Sequence, residues 1–139
     1  MKTQLAFLFL AMAALLAGAQ DSPAVAKAQI IIFDIATSSY DPGKARLLTD
    51  VRRAEIIKTK LFSIIEKGVV QETSAANKLP PLDKADESEL LQIGRAAHGD
   101  KILICSVEKF EKMIAISIRI VDVKTALLDY TDNVFLSDE

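Results

Sequence analysis

The stretch Lys112 to Val123, "KMIAISIRIVDV", constrains the fold of this chain more than any other. Ile114, Ile116, Ile118 and Ile120 fall on one side of an extended backbone, with Ala115, Ser117, Arg119 and Val121 on the other. That period of two is the signature of a half-buried strand, which must lie in a sheet with cover over its isoleucine face. "KILICSVEKF" (Lys101 to Phe110) is a second apolar run. Glu111 and Lys112 make so short a connection between the two that they form an antiparallel hairpin. "LLDYTDNVFL" (Leu127 to Leu136), joined through "VKTA", supplies a third strand.

Upstream, the elements alternate in type. "AQIIIFDIA" (Ala28 to Ala36) is a β-branched run that reads as a strand buried on both faces. "TSSYDPG" follows as a turn, and from Lys44 the period changes. Leu47, Val51, Ala54 and Leu61 are spaced by one or two helical turns, which predicts an amphipathic helix to about Thr59 with Leu47, Val51 and Ala54 buried. "LFSIIE" (Leu61 to Glu66) reads as a strand, with Gly68 permitting a turn after it. Val69 to Leu79 has weak periodicity and predicts no element. "KLPPLDKAD" is a loop around Pro80 and Pro81, and Asp86 to Glu89 then resembles a capping box. Leu90, Ile93 and Ala97 face inward, and Gly99 is expected as the left-handed helix cap. The order predicts an α+β fold: a mixed β-sheet with helices packed mainly on one face and antiparallel hairpins at the carboxy terminus.

The amino terminus gives an address. Lys2 precedes an unbroken apolar run from Leu5 to Leu16, and the small residues Ala17, Gly18 and Ala19 follow. This is the pattern of a secretory signal peptide cut between Ala19 and Gln20. Crossing a bilayer takes about 20 apolar residues, and this run meets Gln20, Asp21 and Pro23 first, so no direct membrane span is expected. Bacterial lipoproteins follow Leu-Ala-Gly with a cysteine that receives the lipid. Here Leu16-Ala17-Gly18 is followed by Ala19, which has no sulfur to acylate. The expected organisation is a signal peptide (1–19), a short linker (20–28), a single domain (29–136) and a tail (137–139), exported to the periplasm in soluble form.

Removing 19 residues from 139 leaves 120, enough for one domain with a real core. The leader takes one of the 17 basic side chains, leaving 16 against 19 acidic ones. That near balance argues against a nucleic-acid partner. A lone cysteine cannot close an internal disulfide in an oxidising compartment, and Cys105, among apolar neighbours, reads as a small buried hydrophobe.

A resemblance rests on "IIIFDI", "RLLTDVRRAEIIKTKLFSIIEKG", "ESELLQIGRAAHGDKILICSVEKF" and "ISIRIVDVKT" in that order. From about Gln29 to Leu136 the chain resembles the periplasmic domain of the curli-secretion-channel (CsgG-like) family. That superfamily also holds lipoprotein activators of peptidoglycan synthases and the amino-terminal domain of TolB. The resemblance implies the fold, the periplasm and a role in binding envelope proteins. Three departures accompany it: Ala19 replaces the lipid-bearing cysteine, Ala126 replaces the glycine usual after "DVKT", and no pair of strands is spare for membrane-crossing hairpins.

The residues do not point to an enzyme. The only histidine, His98, stands at a helix end, where the helix dipole favours a cation. One histidine and one buried cysteine do not make a usual zinc ligand set, so no metal and no cofactor is expected. Asp34, Asp50 and Asp122 sit at element ends, where a carboxylate pair could be held but where structural aspartates are also ordinary. "DPGKAR" places Gly43 and Lys44 at a helix start without the remaining residues of a phosphate loop.

The expected role is therefore a soluble periplasmic accessory that contacts cell-envelope proteins. The alternative is a subunit that oligomerises with a longer channel-type paralogue, and a homo-oligomer fits either reading. The candidate contact is basic. Arg46, Arg53 and Lys60 recur every seven residues along one side of the first helix, with Arg52 at the margin. This stripe is expected to meet an acidic patch on the partner, against the plainer alternative of a solvated surface balanced by Asp50 and Glu55.

Overall fold

A computed structural model describes residues 26–137. The expected cleavage site between Ala19 and Gln20 lies outside them, as does most of the linker. The elements are β1 (Ala28–Ile32), α1 (Pro42–Thr59), β2 (Phe62–Ile64), α2 (Lys67–Ala76), α3 (Glu87–Ala96), β3 (Lys101–Phe110), β4 (Met113–Asp122) and β5 (Leu128–Ser137). The strands form a single mixed sheet in the order β2-β1-β3-β4-β5. β1 is parallel to both β2 and β3, while β3–β4 and β4–β5 are antiparallel. This is the predicted α+β class, and the hairpin turns at Glu111 and Lys112 as expected, with Phe110 opposite Met113.

β1 is paired along both edges and apolar on both sides: Ile30, Ile31 and Ile32, with Phe33 just beyond the strand, are all buried. Ile31 and Phe33 meet Ile102, Val121 and Val123 beneath Val70 of α2 and Leu90 and Ile93 of α3. Ile30 and Ile32 belong to the opposite face with Leu103, Cys105 and Ile118, against which Ile56 of α1 packs. Two of the helices thus share one face, and α1 covers part of the other. The chain leaves β1 through α1 to reach β2 on one side. It returns through α2 and α3 to β3 on the other side of β1.

The capping box forms as read. The Asp86 carboxylate accepts from Glu89 N at 2.9 Å, and the Glu89 carboxylate accepts from Asp86 N at 2.8 Å. The end of α3 differs from expectation, because His98 and not Gly99 adopts the left-handed conformation, at φ 58°. His98 N donates to Arg95 O and Gly99 N to Gly94 O, the paired bonds of a Schellman ending. Glycine stands at 99 for space: a Cβ there would lie 3.0 Å from Ile31 Cδ1.

Two further expectations are corrected. Gly68 is not a turn but part of the first turn of α2, a helix that fills much of the segment for which no element was predicted. α2 buries only Val70 and Ser74, one turn apart, too sparse a pattern to read from sequence. The Ser74 hydroxyl is satisfied by donating to Pro80 O at 2.8 Å, which ties the proline loop to the helix.

The first helix is the larger correction. It begins at Pro42, with Asp41 accepting from Lys44 N. Its inward side is Ala45 and Thr49, both 2 % exposed. Leu47, Val51 and Ala54, expected in the core, are exposed instead. The inward side is fixed by contact and hydrogen bonding. Small residues let the helix lie close, and Thr49 Oγ1 accepts from Ile35 N at 3.0 Å while donating to Ala45 O at 3.1 Å. The chain leaving β1 is thereby fastened to α1.

Candidate functional site

The outer face of α1 presents apolar side chains to solvent at the spacing of a packed interface. Leu47, Val51, Ala54 and Lys58 follow one another by four, three and four residues, which stacks them along one side of a helix. Leu47 is 63 % exposed and Val51 48 %; Ile57 and Leu61, at the far end, are exposed as well. Between Lys44 and Lys60 stand six basic residues against Asp50 and Glu55. At about 3.6 residues per turn the apolar row is flanked by Asp50 on one side and by Lys44 and Glu55 on the other, with Lys58 at its end.

The structure does not gather the four predicted basic residues into one stripe. Arg46 is exposed near the amino end of α1. Arg52 is half-buried and pairs with Glu55 at 3.4 Å. Arg53 turns inward: its Nη2 donates to Ile32 O at 3.4 Å, and its Nε is buried without a partner. Lys60 lies just past the helix end in the left-handed conformation, so it no longer follows the seven-residue spacing. What the sequence reading missed is the apolar face itself. The available signal was that α1 has apolar residues on opposite sides, Ala45 and Ile56 against Leu47 and Val51. A helix apolar on two sides is either enclosed or partnered.

Another surface stands out on the sheet. β5 is an edge strand paired only with β4, and Leu128, Tyr130, Phe135 and Leu136 along it are exposed. Long edge strands carry unpaired backbone donors and acceptors that can accept a further strand.

Of the residues weighed for catalysis, Asp34 and Asp122 hold structural posts. Asp34 pairs with Lys67 at the end of β1. Asp122 pairs with Lys101 and starts the β4–β5 turn by accepting from Thr125 N at 2.8 Å. Asp50 is exposed on α1. Cys105 is 4 % exposed, and burial raises its thiol pKa, against a smaller opposing pull from Arg52. It is the buried hydrophobe predicted. Among the described residues, no group of three or more His, Cys, Asp and Glu is placed to hold a metal. No helix among them is long and apolar enough to cross a membrane.

Comparison with known proteins places the fold. No protein-family model matches the chain, and no curated protein matches it in sequence. Among solved structures, it is similar to the LpoB C-terminal domain from Salmonella enterica, with TM-score 0.68 at 15% identity over 85% of this chain and 88% of that one. The LpoB C-terminal domain from Escherichia coli gives TM-score 0.68 at 14% identity, covering 86% and 89%. Lipoprotein GNA1162 from Neisseria meningitidis gives 0.64 at 14% identity, covering 79% and 80%. The likeness is one of fold. Membership of the curli-channel family is not shown.

Proposed function

We propose that this chain acts by binding rather than catalysis, as an exported periplasmic accessory that contacts a cell-envelope protein through the outer face of α1. The observation that carries the reading is the exposed row Leu47, Val51 and Ala54. Had the helix only covered the sheet, its outer face would gain from being polar; three successive apolar positions there cost solubility unless a partner covers them. Lys58 closes the row and Lys60 lies just beyond the helix end, and both suit an acidic group on the partner, where charge sets orientation and association rate more than affinity. Fold likeness to LpoB domains and to a lipoprotein supports an envelope setting. The expected signal peptide supports export.

A second reading draws on β5. Its unpaired edge favours addition of a strand from a neighbour, either a further copy in a homo-oligomer or a longer channel-type paralogue. In that reading the sheet edge, and not α1, carries the contact.

The test is recovery of partners from envelope extracts with three baits: the unaltered chain, Leu47→Ser with Val51→Ser, and Tyr130→Lys with Asp132→Pro on the edge strand. Circular dichroism first confirms that each variant is folded. The proposal expects the α1 variant to lose the partner and the edge variant to keep it. The reverse pattern transfers the contact to β5.

A further inference from the structure

An open cleft of about 850 Å³ lies at the carboxyl end of β1, between the start of α1 and the proline loop that follows α2. Its place follows from topology. β1 sends its connection over one face to β2, while the connection arriving at β3 runs over the other face. The chain beyond the end of β1 therefore parts from the helices on both sides and leaves a crevice. Parallel sheets bind ligands at such points. The volume falls within the range of about 300–1,000 Å³ usual for small-molecule sites.

The lining is divided by chemistry. One wall is apolar, built from Phe33, Leu79, Leu82, Ala85, Leu90 and Ile104. The rim carries four charges, Asp34, Lys67, Asp83 and Arg46. Asp34 and Lys67 pair with each other and neutralise the middle of the rim. Arg46 has neither an ion pair nor a side-chain hydrogen bond among the described residues. It projects from the first turns of α1 beside Pro42, where the helix's amino-terminal partial charge adds to its own. Asp83 belongs to the proline loop and disfavours an anion on that side. Ala36 and Thr37 also line the cleft, and the chain just after them is fastened by Glu108, whose carboxylate accepts from Ser38 N at 3.2 Å and from the hydroxyls of Ser38 and Ser39.

We infer that this cleft binds a small amphipathic anion, its single negative group at Arg46 and its aliphatic body along the Phe33 and Leu90 wall. The site is separate from the outer face of α1 and does not depend on it.

The experiment is isothermal titration of the full chain with decanoate, decyl phosphate and decylamine. Backbone amide spectra locate any binding. Either anion is expected to saturate at one per chain, and which of them does so distinguishes a carboxylate from a phosphate ligand. Decylamine should bind at least about tenfold more weakly, and Arg46→Gln should weaken the anion by about tenfold, the loss typical of a hydrogen bond to a charged group. Ala75→Leu, on the exposed side of α2 that lines the cleft, should obstruct binding without disturbing the core. Spectral shifts should centre on Phe33, Leu82 and Leu90. The inference is overturned if neither anion saturates, if decylamine binds equally well, if folded Arg46→Gln binds undiminished, or if shifts confine themselves to Leu47 and Val51.

Discussion

Lys101 and Asp122 stand opposite each other at the end of the β3–β4 ladder, with the ammonium nitrogen 2.7 Å from the carboxylate. The Asp129 carboxylate closes on the same ammonium, so one cation joins three strands. Both partners are perturbed in the directions that a real pair requires. The Lys101 hydrogen bond, then the Thr125 backbone N–H, holds the Asp122 carboxyl far below the usual carboxylate range. Asp122 and then Asp129 raise Lys101.

A pH dependence follows. Asp122 binds its proton more weakly when folded, so its contribution to stability is complete above the unfolded value of about 3.9 and is lost as pH falls toward the folded one. Lys101 behaves oppositely, contributing fully below about 10.4 and losing its part as pH rises through its higher folded value. Thermal melts between pH 2 and 7 should show Tm declining below about pH 4, and Asp122→Asn should lie lower at pH 7 with a shallower acid limb. Parallel curves for the two proteins would show that the pair carries no linkage.

The close approach of Gly99 to Ile31 predicts coupling. Gly99→Ala places a Cβ against the Ile31 Cδ1 methyl, which is 2 % exposed in a packed core and has little room to yield, so it should destabilise by about 1–3 kcal/mol. Ile31→Val removes that methyl at a cost of about 0.5–1.5 kcal/mol alone. Urea denaturation of the double variant should show less than the sum of the two. Simple additivity would mean that the glycine is needed for some other reason.

Ala126 occupies a left-handed slot of the β4–β5 turn, at φ 59°, where the family it resembles usually has glycine. Its N–H donates to Asp122 O, so the turn cannot relax without losing a bond. Ala126→Gly should raise stability by about 0.5–1 kcal/mol in the same denaturation assay, because a Cβ at positive φ costs more than the extra freedom of glycine in the unfolded chain. A destabilised variant would contradict this.

The elements with local signals were legible in the sequence. The Ile114 to Ile120 alternation, the Asp86 and Glu89 capping box and the two-sided apolar run of β1 each state their structure within a few residues. α2 was not legible, because two buried side chains a turn apart leave no periodicity to detect. The orientation of α1 was misread for a different reason. Its outer side is more apolar than its inner one, where a threonine hydroxyl bonds the backbone and an arginine caps a carbonyl. Apolar periodicity finds the stripe that must be covered, and here the molecule's own sheet does not cover it. The cleft was equally hidden, since Phe33, Arg46, Leu82 and Leu90 meet only through the topology of β1.

What touches Val51 decides whether the outer face of α1 is the contact surface. A photo-crosslinking amino acid placed there, and separately at Thr131 on the exposed edge strand, can be irradiated in intact cells and its adducts resolved by mass. A discrete envelope-protein adduct is expected from position 51 and none from position 131. An adduct from position 131 alone, with position 51 clean, would contradict that assignment.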